Sequence, residues 1–202
     1  MVFFESHWFM SAKITCRCGA SGFVIADGQP SLSLLCGCTD CREALEWCAK
    51  KGGLEPVSLP ELIYVKSDIV HSFGIEFMQA FQLRHNARST RVYCKGCFSV
   101  IGVDHKSYRD NVFMFFKDHC VTTCDLSIKP SAAIYLKELT DTNQISKLKN
   151  IPLIMNFSKK EIQQFRSIKA VSGSFNEIKR QRYGQSLKSV IKSISKMEIL
   201  NR

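Results

Sequence analysis

Long apolar runs are missing from this chain. No stretch of its 202 residues approaches the roughly 20 consecutive apolar residues of a membrane-spanning helix. The opening Met1-Val2-Phe3-Phe4 is broken at once by Glu5 and His7, too early for the apolar core of a secretory leader. Neither a signal peptide nor a membrane span is expected, and a membrane is not an expected partner. Cysteine is too sparse for a disulfide-stapled secreted domain: ten in 202 residues is about one in twenty, against the roughly 8–10% of such scaffolds. The expected location is therefore cytoplasmic, where thiols stay reduced and clustered cysteines are read first as metal ligands or catalytic groups. Internal repeats and low-complexity tracts are absent too. A chain of this length with 45% hydrophobic residues can bury one core, with room for an appendage.

Acidic residues run short in one place only. From Ile151 to Arg202 eleven Lys/Arg face Glu161, Glu177 and Glu198, so +8 of the formal net charge of +10 sits in the last quarter. The preceding 150 residues are nearly neutral, and any attraction for polyanions belongs to the tail. Nucleic-acid binding would call for aromatics interleaved with the cations, and the tail offers only Phe165, Phe175 and Tyr183. A solvated helical face is the reading preferred over a nucleic-acid surface.

Strand-forming residues dominate the body. Candidate strands cover 20–26, 32–36, 61–65, 76–83, 89–94, 112–116 and 132–136, rich in Val, Ile, Phe and Tyr. In the fourth, Ile75, Phe77, Phe81 and Leu83 share one face by period two. One helix is expected from Thr39, as N-cap, through Cys48 to a stop at Gly52-Gly53. Beyond Pro152 the texture turns helical: Ser158-Lys159-Lys160-Glu161 fits a capping box, and Leu187, Val190, Ile191, Ile194 and Met197 line one face. The expected fold is mainly β over residues 1–150, with a basic two-helix extension over 151–202 packed on it.

Seven of the ten cysteines form three clusters: Cys16-Arg17-Cys18, Cys36-Gly37-Cys38-Thr39-Asp40-Cys41 and Cys94-Lys95-Gly96-Cys97. Zinc favours soft thiolates in a tetrahedron, and two close cysteines from one loop joined by two from a distant loop make a closed four-sulfur site. Cys16 and Cys18 with Cys94 and Cys97 satisfy that count. Cys36, Cys38 and Cys41 then remain as three thiolates without an obvious fourth, the arrangement of a zinc with an exchangeable position. Two zinc ions are expected. Cys48, Cys120 or Cys124 completing a second closed site stays open as an alternative partition, and His105 and His119 are further possible ligands. A zinc ribbon or methionine sulfoxide reductase B would use paired C-x-x-C knuckles, and within the four-sulfur set only Cys94 to Cys97 has that spacing, Cys16 and Cys18 being C-x-C.

The ordered set Cys16-Arg17-Cys18-Gly19-Ala20 with Phe23, then Cys36-x-Cys38-x-x-Cys41-Arg42, then Arg91-Val92-Tyr93-Cys94-x-x-Cys97 resembles the glutathione-dependent formaldehyde-activating family, which includes the centromere protein V group. The resemblance spans roughly residues 14–140, closes on Lys129-Pro130-Ser131-Ala132-Ala133-Ile134, and leaves out the basic tail. It implies a zinc-bound β-tent like that of methionine sulfoxide reductase B. It implies structural zinc on Cys16, Cys18, Cys94 and Cys97 and catalytic zinc on Cys36, Cys38 and Cys41. Two positions depart from the pattern: Gly37, where many members carry a larger residue, and Phe98, where glycine commonly follows the last cysteine.

The activity so implied is that of a carbon–sulfur lyase acting on a thiol–aldehyde adduct such as S-hydroxymethylglutathione, with glutathione as the small-molecule partner. Glutathione is anionic, so the N-terminus of the helix holding Cys41, and Arg42, are the expected contacts for its carboxylates. Arg42 is also open to a purely structural ion pair. The alternative function is a non-catalytic zinc-stabilised module whose basic tail contacts nucleic acid or an acidic protein. Cys48, two helical turns beyond Cys41, reads as a buried inert thiol.

Overall fold

Val112-Phe113-Met114-Phe115-Phe116 is apolar at every position, so a strand there needs cover on both faces. The computed structural model supplies it. The structure describes residues 11–176, 182–194 and 196–202; the opening run from Met1 to His7 lies outside them. In chain order come β1 (Ala12–Cys16), β2 (Gly22–Ile25), β3 (Leu32–Cys36), α1 (Thr39–Lys50), β4 (Glu61–Lys66), β5 (Ile69–Phe73), β6 (Met78–Gln82), β7 (Ser89–Cys94) and β8 (Val100–His105). After them come β9 (Val112–Phe116), β10 (Cys120–Thr122), β11 (Ala132–Ile134), α2 (Asn143–Ser146), α3 (Lys159–Ser167), α4 (Lys169–Asn176), α5 (Leu187–Ser193) and β12 (Glu198–Ile199). The fold is mainly β, and no helix among the described residues is long and apolar enough to cross a membrane.

The strands make two sheets, a small one in the order β10-β1-β2-β5 and a large one in the order β11-β3-β4-β9-β8-β7-β6-β12. The large sheet is the middle layer. One of its faces, through Leu62, Tyr64, Met114 and Phe116, packs with Ala44, Leu45, Trp47 and Cys48 of α1 and with Val171 of α4. The other face, through Ile63, Val65, Phe113 and Phe115, packs with Ile14, Phe23 and Ile25 of the small sheet and with Leu187 and Val190 of α5. Successive residues of β4 and β9 thus enter opposite cores, which is why neither strand shows polar alternation.

Three expectations change at this point. Residues 76–83 are not one strand: Ile75–Phe77 form a 3-10 turn and only Met78–Gln82 are extended. Ile75 and Phe77 stay exposed, because Gly74 at φ 62° turns the chain just before them. The stripe from Leu187 to Met197 is not one helix either. It ends at Ser193, and Glu198 and Ile199 pair in parallel with Phe81 and Gln82 of β6. The free edge of β6 takes up backbone groups that a longer helix would have used itself. Lastly, the described residues of the tail hold three helices and a strand where two helices were expected, while the Ser158/Glu161 capping box forms as read.

The tail is tied into the body by polar backbone contacts as well. Asp68, fully buried in the β4–β5 turn, accepts the N–H groups of Tyr183 (2.9 Å) and Gly184 (2.6 Å). Ser67 Oγ accepts that of Leu187 at 2.9 Å.

Candidate metal centres

Cys16 ends β1 and Cys94 ends β7, so each brings its following turn, with Cys18 and Cys97, to the seam between the two sheets. The four sulfurs lie within 4.8 Å of one another. Cys16 Sγ stands 3.5 Å from Cys18 Sγ, and Cys18 Sγ 3.8 Å from Cys94 Sγ. A tetrahedral metal with four sulfurs at about 2.3 Å has sulfur–sulfur edges of about 3.8 Å, so the spacing suits a closed site. Cys97 falls to about 6: burial raises it most, but contacts with Ser99 and Cys18 outweigh burial. In this place a metal would clip the small sheet to the large one.

The second centre lies on the opposite face of the large sheet. Cys36 ends β3, Cys38 precedes α1 and Cys41 sits in its first turn, and their three sulfurs again lie within 4.8 Å of one another. Among the described residues no His, Cys, Asp or Glu joins them as a fourth. The cap of α1 is Cys38, not Thr39, and its sulfur accepts the Cys41 N–H at 3.3 Å. Thr39 already has helical backbone, and its N–H is taken by the Glu138 carboxylate at 2.7 Å. Gly37 has no room for a side chain, since a Cβ there would come within 2.8 Å of Leu139 Cγ and 3.0 Å of the Tyr135 carbonyl. The segment after β11 has closed into the space that a larger residue would fill.

Three thiols packed this tightly cannot all ionise without a cation. Cys41 is held well below its ordinary value by hydrogen bonds from Cys36 and Cys38 and then by the Arg91 guanidinium. Cys36 is pushed far up by hydrogen bonding to Cys38 and Cys41 and by burial. Arg91 is 1% exposed, donates one bond to the Asp40 carbonyl at 3.1 Å, and leaves Nε and Nη1 without a hydrogen-bond partner. A buried cation so placed is the natural counter-charge for a centre with more thiolates than metal charge.

The three-sulfur group opens on a cavity of about 1000 Å³. Its inner wall is largely apolar, with Leu34, Leu62, Val103, Met114 and Ile134, and its rim carries Arg84, Arg88, Arg166 and Arg202. Tyr64 and Tyr108 meet hydroxyl to hydroxyl at 3.0 Å, and burial, the leading cause, raises both so that they stay protonated at neutral pH. His105 also lines the cavity. Burial, then Arg88 and Arg91, lower it to about 4. Its Nδ1 accepts the Ser107 N–H at 3.1 Å, which leaves Nε2 as the protonated nitrogen.

Of the residues singled out from the sequence, the seven cysteines fall into the two expected groups. Arg42 is not among the residues that line the cavity. It donates to the Glu138 carbonyl at 3.0 Å and to Thr39 Oγ1 at 3.3 Å, and stands 3.8 Å from Glu46. Cys48, on α1, is fully buried in the core, Cys120 pairs with Cys16 on the neighbouring strand of the small sheet, and Cys124 is buried; none joins a metal group. His119 is buried against Phe116 and joins neither. Sequence reasoning missed the rim arginines, the tyrosine pair and the depth of Arg91. Only Arg91 had a signal, a charge three residues before Cys94 within a candidate strand.

No known family model matches the chain, and no curated protein matches it.

Proposed function

We propose that this chain is a zinc-dependent enzyme that makes and breaks the carbon–sulfur bond between a thiol and an aldehyde, the reaction class of the glutathione-dependent formaldehyde-activating family that its cysteine pattern resembles. The observation that carries the reading is the three-sulfur group Cys36, Cys38 and Cys41 opening on a cavity with no fourth ligand among the described residues. The contrast with the four-sulfur group at the sheet seam supports different work for the two centres, one structural and one reactive. The two-sheet body is read as the family's β-tent. All ten cysteines are free thiols, which suits a compartment that keeps them reduced, such as the cytoplasm.

An all-sulfur donor set in tetrahedral spacing fits zinc. Held at the three-sulfur centre, zinc would supply a Lewis acid and a place where a substrate thiol loses its proton at neutral pH. The reaction then balances without oxidant or reductant. The substrate sulfur bonds to the carbonyl carbon, the carbonyl π pair moves to oxygen, and that oxygen takes the proton lost by the thiol. Neutral His105, with its Nε2–H, and the Tyr64/Tyr108 pair are the cavity's donors for that oxygen. The rim arginines hold the carboxylates of a thiol such as glutathione, and Arg91 offsets the excess negative charge of three thiolates around one divalent ion.

Exchange of formaldehyde between free and glutathione-bound forms, followed by NMR, tests the proposal. Zinc-loaded wild type is expected to accelerate it at least tenfold over Cys38→Ser at equal concentration. Equal rates would remove formaldehyde as the substrate, and equal rates with larger aldehydes as well would remove the enzymatic reading and move the weight to a zinc-stabilised binding module.

A further inference from the structure

The cavity is larger than a one-carbon aldehyde requires. Its volume of about 1000 Å³ stands at the top of the roughly 300–1,000 Å³ range of small-molecule sites. A hydroxymethyl group adds to a thiol little more than one water's share of volume, about 30 Å³. Part of that excess space is apolar. Besides the cysteines and polar groups such as Tyr64, Tyr108, His105 and Glu138, its wall carries Leu62, Val103, Met114 and Ile134 of the large sheet, with Phe165 of α3 and Val171 of α4. Left to water, such a wall forgoes roughly 25 cal/mol for each Å² that an apolar ligand would cover.

Charge is arranged on the other side. Arg84 at the rim is paired with Asp40 at 2.8 Å. Arg88, Arg166 and Arg202 have no carboxylate within ion-pair distance among the described residues. Arg166 comes from α3 and Arg202 follows β12, whose pairing with β6 ends with the Arg202 N–H donating to the Leu83 carbonyl at 2.8 Å. The tail, outside the resemblance, therefore builds one apolar wall and part of the cationic rim. A ring contact at 5.1 Å between Phe157 and Phe165, and another at 4.7 Å between Phe157 and Tyr135, join that wall to the segment after β11.

Resting on the thiol–aldehyde reading above, we propose that the carbonyl partner is a bulky apolar aldehyde, aromatic or branched aliphatic, carried on an anionic thiol. The thiol's carboxylates sit at Arg88, Arg166 and Arg202, its sulfur faces Cys36, Cys38 and Cys41, and the aldehyde's substituent fills the space between the sheet and Phe165. The bond changes are those already given: one carbon–sulfur bond forms, the carbonyl becomes an alcohol, and the thiol proton ends on its oxygen.

The test compares formaldehyde, 3-methylbutanal and phenylacetaldehyde as partners of glutathione, with adduct exchange read by NMR on the zinc-loaded full chain. The acceleration over the uncatalysed rate is expected to be at least tenfold greater for phenylacetaldehyde than for formaldehyde. In Phe165→Ala, at unchanged zinc content, that ratio is expected to fall at least fivefold, since half-buried Phe165 lines the cavity without holding the sheets together. Formaldehyde accelerated as well as or better than the larger aldehydes would overturn this inference alone. So would a Phe165→Ala variant that keeps the wild-type ratio. No acceleration with any aldehyde would overturn the thiol–aldehyde reading and this inference with it.

Discussion

Phe98 holds a left-handed backbone, φ 53°, directly after the last cysteine of the four-sulfur group. That conformation costs a residue with a Cβ about 1–2 kcal/mol, which explains why glycine suits the position. Phe98 offsets the cost by stacking on Tyr93, with ring centroids 5.7 Å apart, and by an edge contact with Trp47. Phe98→Ala keeps the strain and loses the stacking, whereas Phe98→Gly loses both. The glycine variant is thus expected to be the more stable of the two by about 1 kcal/mol in urea unfolding, the reverse of the usual order. A more stable alanine variant would mean the strain is not there. Arg91→Gln should weaken zinc at the three-sulfur centre by roughly 10–100-fold, as lost support of a ligand does, and leave the four-sulfur zinc in place. Competitive chelation followed in two phases reads both.

His119 gives a pH signature. It is 2% exposed, and burial lowers it from the ordinary 6.5 to about 4. A depressed histidine stays neutral in the folded state while the unfolded chain takes up a proton, so its contribution is whole above 6.5 and lost as pH falls toward 4. Between pH 7.5 and 5 the loss is about 2 kcal/mol. At saturating zinc, the difference in unfolding free energy between wild type and His119→Phe is expected to change by that amount across this range. A constant difference would place the acid sensitivity elsewhere.

Among the elements, legibility followed burial. Strands β3, β7 and β9 were read at their true limits because turn residues bound their Val, Phe and Leu content on both sides. The strands β1, β5, β8 and β10 went unread. β5 has two exposed residues, Val70 and His71, and β8 carries Gly102 and ends on polar Asp104 and His105. Pairing with neighbours makes them strands, and a single sequence does not display pairing. In the tail, the apolar stripe marked burial correctly at Leu187, Val190 and Ile194 but not its form, since the competing partner of residues 198–199 is the edge of a strand over a hundred positions earlier. Leu187 is fully buried in the core between the sheets. Leu187→Ala is expected to cost about 2–5 kcal/mol in chemical unfolding. A cost under about 1 kcal/mol would mean that α5 only rests on the surface.

At the scale of the molecule, the large sheet separates two cysteine centres and gives each a different neighbourhood, a seam between sheets for one and an open cavity for the other. The grouping of the seven cysteines was legible because spacings such as C-x-C and C-x-x-C are local. The cavity was not, because its walls come from β3, β4, β8, β9, α3 and the end of the chain, which only the fold brings together. Zinc X-ray absorption on the full chain bears most directly on the division of labour between the centres. Seven cysteine sulfurs in two groups holding two zinc ions give an average of about 3.5 sulfurs per zinc, near 2.3 Å, with lighter atoms completing the shell. Saturating glutathione is expected to raise that average to about 4 as its sulfur enters the open position. An average of 4 before glutathione, or one that glutathione leaves unchanged, would contradict it.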